Sequence, residues 1–71
     1  MNACERMALD TIEHRGQITS FELADALCWE DRYASRVLLN LQLAGELRAF
    51  SVPSSKGPPR KAYALRESLS P

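Results

Sequence analysis

The stretch "ASRVLLNLQLAG", residues 34–45, decides how the rest of the chain is read. Ala34, Val37, Leu38, Leu41 and Ala44 recur at helical spacing, and Gly45 stands where glycine ends a helix. The leucines do not fit one stripe. With Leu38 and Leu41 turned inward, Leu39 and Leu43 lie roughly opposite. A helix running from about Arg32 to Ala44 therefore carries apolar groups on two sides, and Glu30 or Asp31 can cap its start, where an acid suits the positive end of the dipole.

Downstream of Gly45 the period changes. "ELRAFSV" (residues 46–52) alternates through Leu47, Ala49 or Phe50, and Val52, which predicts a strand. "PSSKGPP" (residues 53–59) is a turn cluster of three prolines and a glycine. "RKAYALR" (residues 60–66) alternates again, so the two runs form a β-hairpin with a basic tip.

Upstream, residues 3–15 place Cys4, Ala8, Leu9 and Ile12 at helical spacing, and Gly16 follows in the position of a C-cap. "QIT" is a brief extended link with Ile18 pointing inward. Thr19 and Glu22 form a capping box for a two-turn helix, "SFELADAL", with Leu23, Ala24 and Leu27 on one face. "CWED" breaks the period before the third helix. Trp29 in this turn is expected to anchor packing.

The order is helix, link, helix, turn, helix, hairpin. This predicts an α+β domain over residues 1–66, a three-helix winged helix-turn-helix with a C-terminal two-stranded β-hairpin as its wing. Residues 67–71, "ESLSP", are expected to be a disordered tail. In a domain this small the central helix is commonly covered on more than one side. Burial of Leu39 and Leu43 by the wing strands or the first helix is therefore the expectation. The alternative is a surface for a second copy or a partner protein, to which Phe21 would belong.

Composition narrows the function. A chain of 71 residues is one small domain near the lower limit for a self-supporting core. A binding module fits that size, whereas an enzyme with a deep pocket does not, and no nucleophile–base arrangement is present. No run of 18 apolar residues exists, so no membrane span is expected. "MNACERMALD" carries acids and lacks an apolar core, unlike a signal peptide. Cys4 and Cys28 form no CxxC pair, and His14 has no ligand at metal spacing. The expectation is small buried or half-buried thiols in a reducing cytoplasm, with no metal, cofactor or small-molecule substrate.

Net charge is zero, yet it is split. Residues 1–31 hold seven acids (Glu5, Asp10, Glu13, Glu22, Asp25, Glu30, Asp31) against Arg6 and Arg15, a balance of −5. Residues 32–66 hold seven bases (Arg32, Arg36, Arg48, Lys56, Arg60, Lys61, Arg66) against Glu46, a balance of +6, and Glu67 brings the total to zero. A basic second half on a winged helix suits double-stranded DNA. In that architecture the third helix enters the major groove and the wing reaches the backbone. Arg32, Ser35, Arg36 and Asn40, with Tyr33 to the side, are the candidate reading residues. Lys56, Arg60 and Lys61 are the candidate phosphate contacts. The competing reading is a solvated helix face and a loop that protects an edge strand.

"ITSFELADAL" followed by "ASRVLLNLQLAGEL" resembles the winged-helix transcription regulators. More narrowly, "LADALCWEDRYASRVLLNLQLAG" is similar to the FaeA-like regulators of fimbrial operons, small bacterial proteins. The shared positions are the "ADAL" end of the second helix, Asp31, Ala34, the Leu38–Leu39 pair, Leu41 and Ala44–Gly45. "KGPPRKAYAL" resembles the basic, Tyr-ended wing of many winged-helix repressors. The likeness spans residues 8–65. It implies a DNA-binding transcription regulator of bacterial or phage origin that acts with a co-regulator protein. Separately, a domain this small covers little DNA, so specific affinity would need a homodimer or a co-bound protein. The wing of this chain is richer in proline, and it lacks the cysteine cluster of the iron-transport winged helices.

Overall fold

The computed structural model describes residues 2–66, and the expected tail at 67–71 lies outside them. Six elements follow in order: α1 (Ala3–Arg15), β1 (Ile18–Thr19), α2 (Ser20–Leu27), α3 (Asp31–Leu43), β2 (Leu47–Val52) and β3 (Arg60–Leu65).

Local chemistry sets most of the boundaries. Asn2 caps α1: its side-chain oxygen accepts from the Glu5 N–H at 2.8 Å, and its own N–H donates to the Glu5 carboxylate at 3.1 Å. Gly16, at φ 89°, ends the helix by donating to the Ile12 carbonyl at 2.7 Å. The Thr19–Glu22 capping box forms as expected, with distances of 2.8 and 3.2 Å. α2 then ends on Cys28, which adopts the left-handed conformation at φ 57°.

Two expectations for α3 are corrected. Glu30 occupies the N-cap position, but neither it nor Asp31 supplies a side-chain capping bond. The acids there act on the helix only through charge. At the other end Ala44 is exposed rather than part of the core face, because the chain is already leaving the helix. The N–H groups of Gly45 and Glu46 fold back onto the carbonyls of Gln42 and Leu41 at 3.0 and 2.9 Å. Gly45, at φ 84°, makes this reversal without a side-chain clash.

The wing is larger than the expected two-stranded hairpin. β2 and β3 pair antiparallel from Leu47 opposite Leu65 to Val52 opposite Arg60. β1 adds a third strand on the other side of β3, with Ile18 opposite Tyr63 and Thr19 opposite Ala62. Two residues are too few to show strand alternation, so the sequence marks Ile18 only as an inward residue.

The three helices and the antiparallel sheet form an α+β winged-helix fold. The core joins Ala8 and Ile12 of α1, Ile18, Leu23 and Ala24 of α2, four residues of α3 (Ala34, Val37, Leu38, Leu41), Leu47 and Tyr63. Fully burying side chains such as Ile12, Leu23 and Leu38 contributes roughly 1.5–3 kcal/mol each. Among the described residues no polar or charged side chain is fully buried, and no helix is long and apolar enough to cross a membrane.

The expected burial of Leu39 and Leu43 does not occur. They are 45% and 77% exposed, because the wing and α1 both dock on the opposite, Leu38–Leu41 side of α3. Cys28 is likewise exposed, against the expectation of a covered thiol, since its left-handed backbone terminates α2 at the surface. Cys4 is half-buried, and both cysteines are free.

Candidate nucleic-acid interface

With Ala34, Val37, Leu38 and Leu41 buried, helical geometry at about 100° per residue fixes the outward face of α3. Arg32, Arg36, Leu39 and Leu43 form the middle of that face. Ser35 lies toward one edge and Asn40 toward the other. The exposed leucines therefore share a stripe with the two arginines rather than forming a separate side of the helix.

Ser35 borders a cleft of 480 Å³ between the start of α2, α3 and the wing. Its lining comprises Thr19, Ser20, Phe21, Ser35, Lys56, Pro58, Pro59, Arg60, Lys61 and Tyr63. Three of the candidate cations thus converge there with no acid in the wall. The Arg60 guanidinium sits over the Phe21 ring, 4.8 Å from its centroid, and ties the wing to α2. Lys61 lies 5.9 Å from the Tyr63 ring, one strand period along β3.

Arg32, Tyr33 and Arg36 line a different hollow of 350 Å³, together with Glu30. The acidic and basic halves of the sequence meet at this point, and the carboxylate lowers the local positive potential. Tyr33 is held from two sides. Trp29 meets it edge-on, with ring centroids 5.0 Å apart and planes at 85°. A hydrogen bond with Cys4, with smaller contributions from desolvation and from the nearby Cys4 and Glu5 charges, holds its hydroxyl above the ordinary tyrosine pKa. Trp29 is half-buried against the core, as expected of a packing anchor.

The structure thus groups Ser35 with Lys56, Arg60 and Lys61, and Arg32 with Tyr33 and Arg36. Asn40 is exposed and lines neither hollow. Phe21, read from sequence as a companion of Leu39 and Leu43, lies instead in the wing cleft. Sequence reasoning missed this cleft because its walls come from three separate segments. The only local hint was an aromatic residue left on the exposed side of α2. Among the described residues, no group of three or more His, Cys, Asp or Glu side chains could hold a metal.

These features define a winged-helix domain with a basic wing set beside its third helix. Among solved structures, the chain resembles the Zalpha domain of PKZ from Carassius auratus, determined in complex with Z-DNA. The TM-score is 0.70 and the identity 22%, over 87% of this chain and 90% of that one. No family model and no curated protein matches the sequence.

Proposed function

We propose that this chain is a small DNA-binding transcription regulator. In this reading α3 lies in the major groove of double-stranded DNA, with Arg32, Ser35, Arg36 and Asn40 toward the bases and Tyr33 at the side. Lys56, Arg60 and Lys61 of the wing bind backbone phosphates. The observation that carries it is the shared cleft: the α3 edge at Ser35 and the three wing cations open onto one surface without an intervening acid. Arginine pairs with guanine or phosphate, serine adapts to several bases, and asparagine matches adenine. The solved neighbour's nucleic-acid ligand supports the same partner class. The likeness to FaeA-like regulators extends the reading to transcription control in a bacterium or phage, in the cytoplasm. One copy covers little DNA, so specific affinity calls for a homodimer or a co-bound regulator.

The test is binding to a duplex across a salt series. Arg36→Ala and Lys61→Ala should each weaken binding, and Lys61→Ala should reduce the slope of log affinity against log salt by about one. Binding and slope unchanged in both variants would overturn the proposal. Because the neighbour is bound to Z-DNA, a duplex of alternating dG and dC stabilised in the left-handed form belongs in the same series. Preference for that form would replace groove reading by recognition of duplex shape.

A second reading, a protein-interaction module on the same scaffold, is favoured by the exposure of Leu43 at 77% and Leu39 at 45%. Here Leu39 and Leu43 would meet a partner protein or a second copy, while Phe21 lies apart from them in the wing cleft. Sedimentation of wild type and Leu43→Glu separates the self-association version: a wild-type dimer that the glutamate dissolves supports it, and two monomers remove it.

A further inference from the structure

The wing cleft has walls that phosphate binding alone does not need. We infer that it holds an unpaired nucleotide, so that the protein engages the strand at a duplex end or junction. This rests on the DNA-binding reading above.

Four observations carry the inference. First, Phe21 is 49% exposed on α2, and the Arg60 guanidinium lies over its ring at 4.8 Å. Together they bring an aromatic ring and a planar cation to the wall of the cleft, the kinds of surface on which unstacked bases settle. Second, Pro58 and Pro59 wall the cleft, and their fixed φ keeps the wing from collapsing into it. Third, Lys56 and Lys61 stand in the same lining, placed for the phosphate attached to such a base. Fourth, the volume of 480 Å³ falls within the range of small-ligand sites, about 300–1,000 Å³.

Pairing state follows from the geometry of stacking. A base inside a duplex has both faces covered by its neighbours and offers only its edge. The terminal pair of a blunt end frees one face, but its base is still held in the pair. A base that enters a cleft walled by Phe21, Arg60, Pro58 and Pro59 must leave its pairing partner as well. The hydroxyls of Ser20 and Ser35 at the rim both donate and accept, so they tolerate any of the four bases. The cleft should therefore discriminate by pairing more than by sequence.

The experiment compares a blunt duplex with the same duplex carrying a four-nucleotide overhang that contains 2-aminopurine. Wild-type protein should bind the overhang form at least about fivefold more tightly and change the 2-aminopurine fluorescence. Phe21→Ala should bring the affinity ratio to about one, and Phe21→Tyr should restore it, which a folding defect would not do. Equal wild-type affinities with unchanged fluorescence would overturn the inference, while the blunt-duplex titration still reports on DNA binding by itself. Free dTMP in the same assay should not displace the overhang at comparable concentration. If it does, the cleft takes a free nucleotide and the strand-end assignment fails.

Discussion

The ring of Trp29 meets Tyr33 edge-on across the turn between α2 and α3, with centroids 5.0 Å apart and planes at 85°. This contact fixes the entry of α3, whose own N-cap lacks a side-chain bond. Aromatic pairs of this geometry contribute about 0.5–1.5 kcal/mol beyond area burial. Trp29→Ala should therefore lower unfolding free energy by about 2 kcal/mol in urea, and Trp29→Phe by less than half of that. Trp29 is also the only tryptophan, so its fluorescence reports the wild-type transition directly.

The Thr19–Glu22 capping box joins β1 to α2 through two hydrogen bonds. Since α2 has only eight residues, it depends on that cap and on tertiary packing. Thr19→Ala should cost about 1 kcal/mol, read in a thermal scan as a Tm lower by roughly 4–8 °C.

How far the sequence reveals the fold depends on whether a signal is local. The bounds of α1 and α2 are legible because Gly16 and the Thr19–Glu22 pair act within one turn of the ends they set. The Asn2–Glu5 box works the same way, within the first turn of α1. β1 is illegible as a strand because its pairing partners, Ala62 and Tyr63, lie more than forty residues on. The outward face of α3 is legible from the helical period. The Phe21–Arg60 stack is not, because nothing in either segment refers to the other. Leu39 and Leu43 show a further limit: periodicity says they oppose the core, and only the docking of the other elements says whether anything covers them.

Cys28 holds φ 57° without being glycine. The left-handed conformation costs a residue with a Cβ about 1–2 kcal/mol, while glycine there costs the chain roughly 0.5–1 kcal/mol in entropy. Cys28→Gly should therefore stabilise the domain by about 0.5 kcal/mol or more, and Cys28→Val should destabilise it. Denaturant midpoints of the two variants, compared under reducing conditions, check the sign.

Tyr33 gives an expectation for alkaline pH. Its hydroxyl is held above the ordinary value of 10.0, first by the hydrogen bond with Cys4. A raised folded-state value favours the protonated, folded form. The associated stability is complete below the unfolded pKa and falls away as pH rises through the folded one. Tyr33→Phe should lack that alkaline loss, and Cys4→Ala should bring the Tyr33 titration, followed by ultraviolet absorbance, back toward 10.0.

β3 is the last element among the described residues and the middle strand of the sheet, between β1 and β2. During synthesis, Ile18 and Ala49 therefore wait without their shared partner, Tyr63, until the ribosome has released the stretch through Leu65. Three helices can emerge and begin to associate before then, but the sheet has no centre to close around. Completion of this domain is consequently an event that follows translation of its final strand, and a chain stalled within the proline-rich loop would present two unpaired edges to its neighbours.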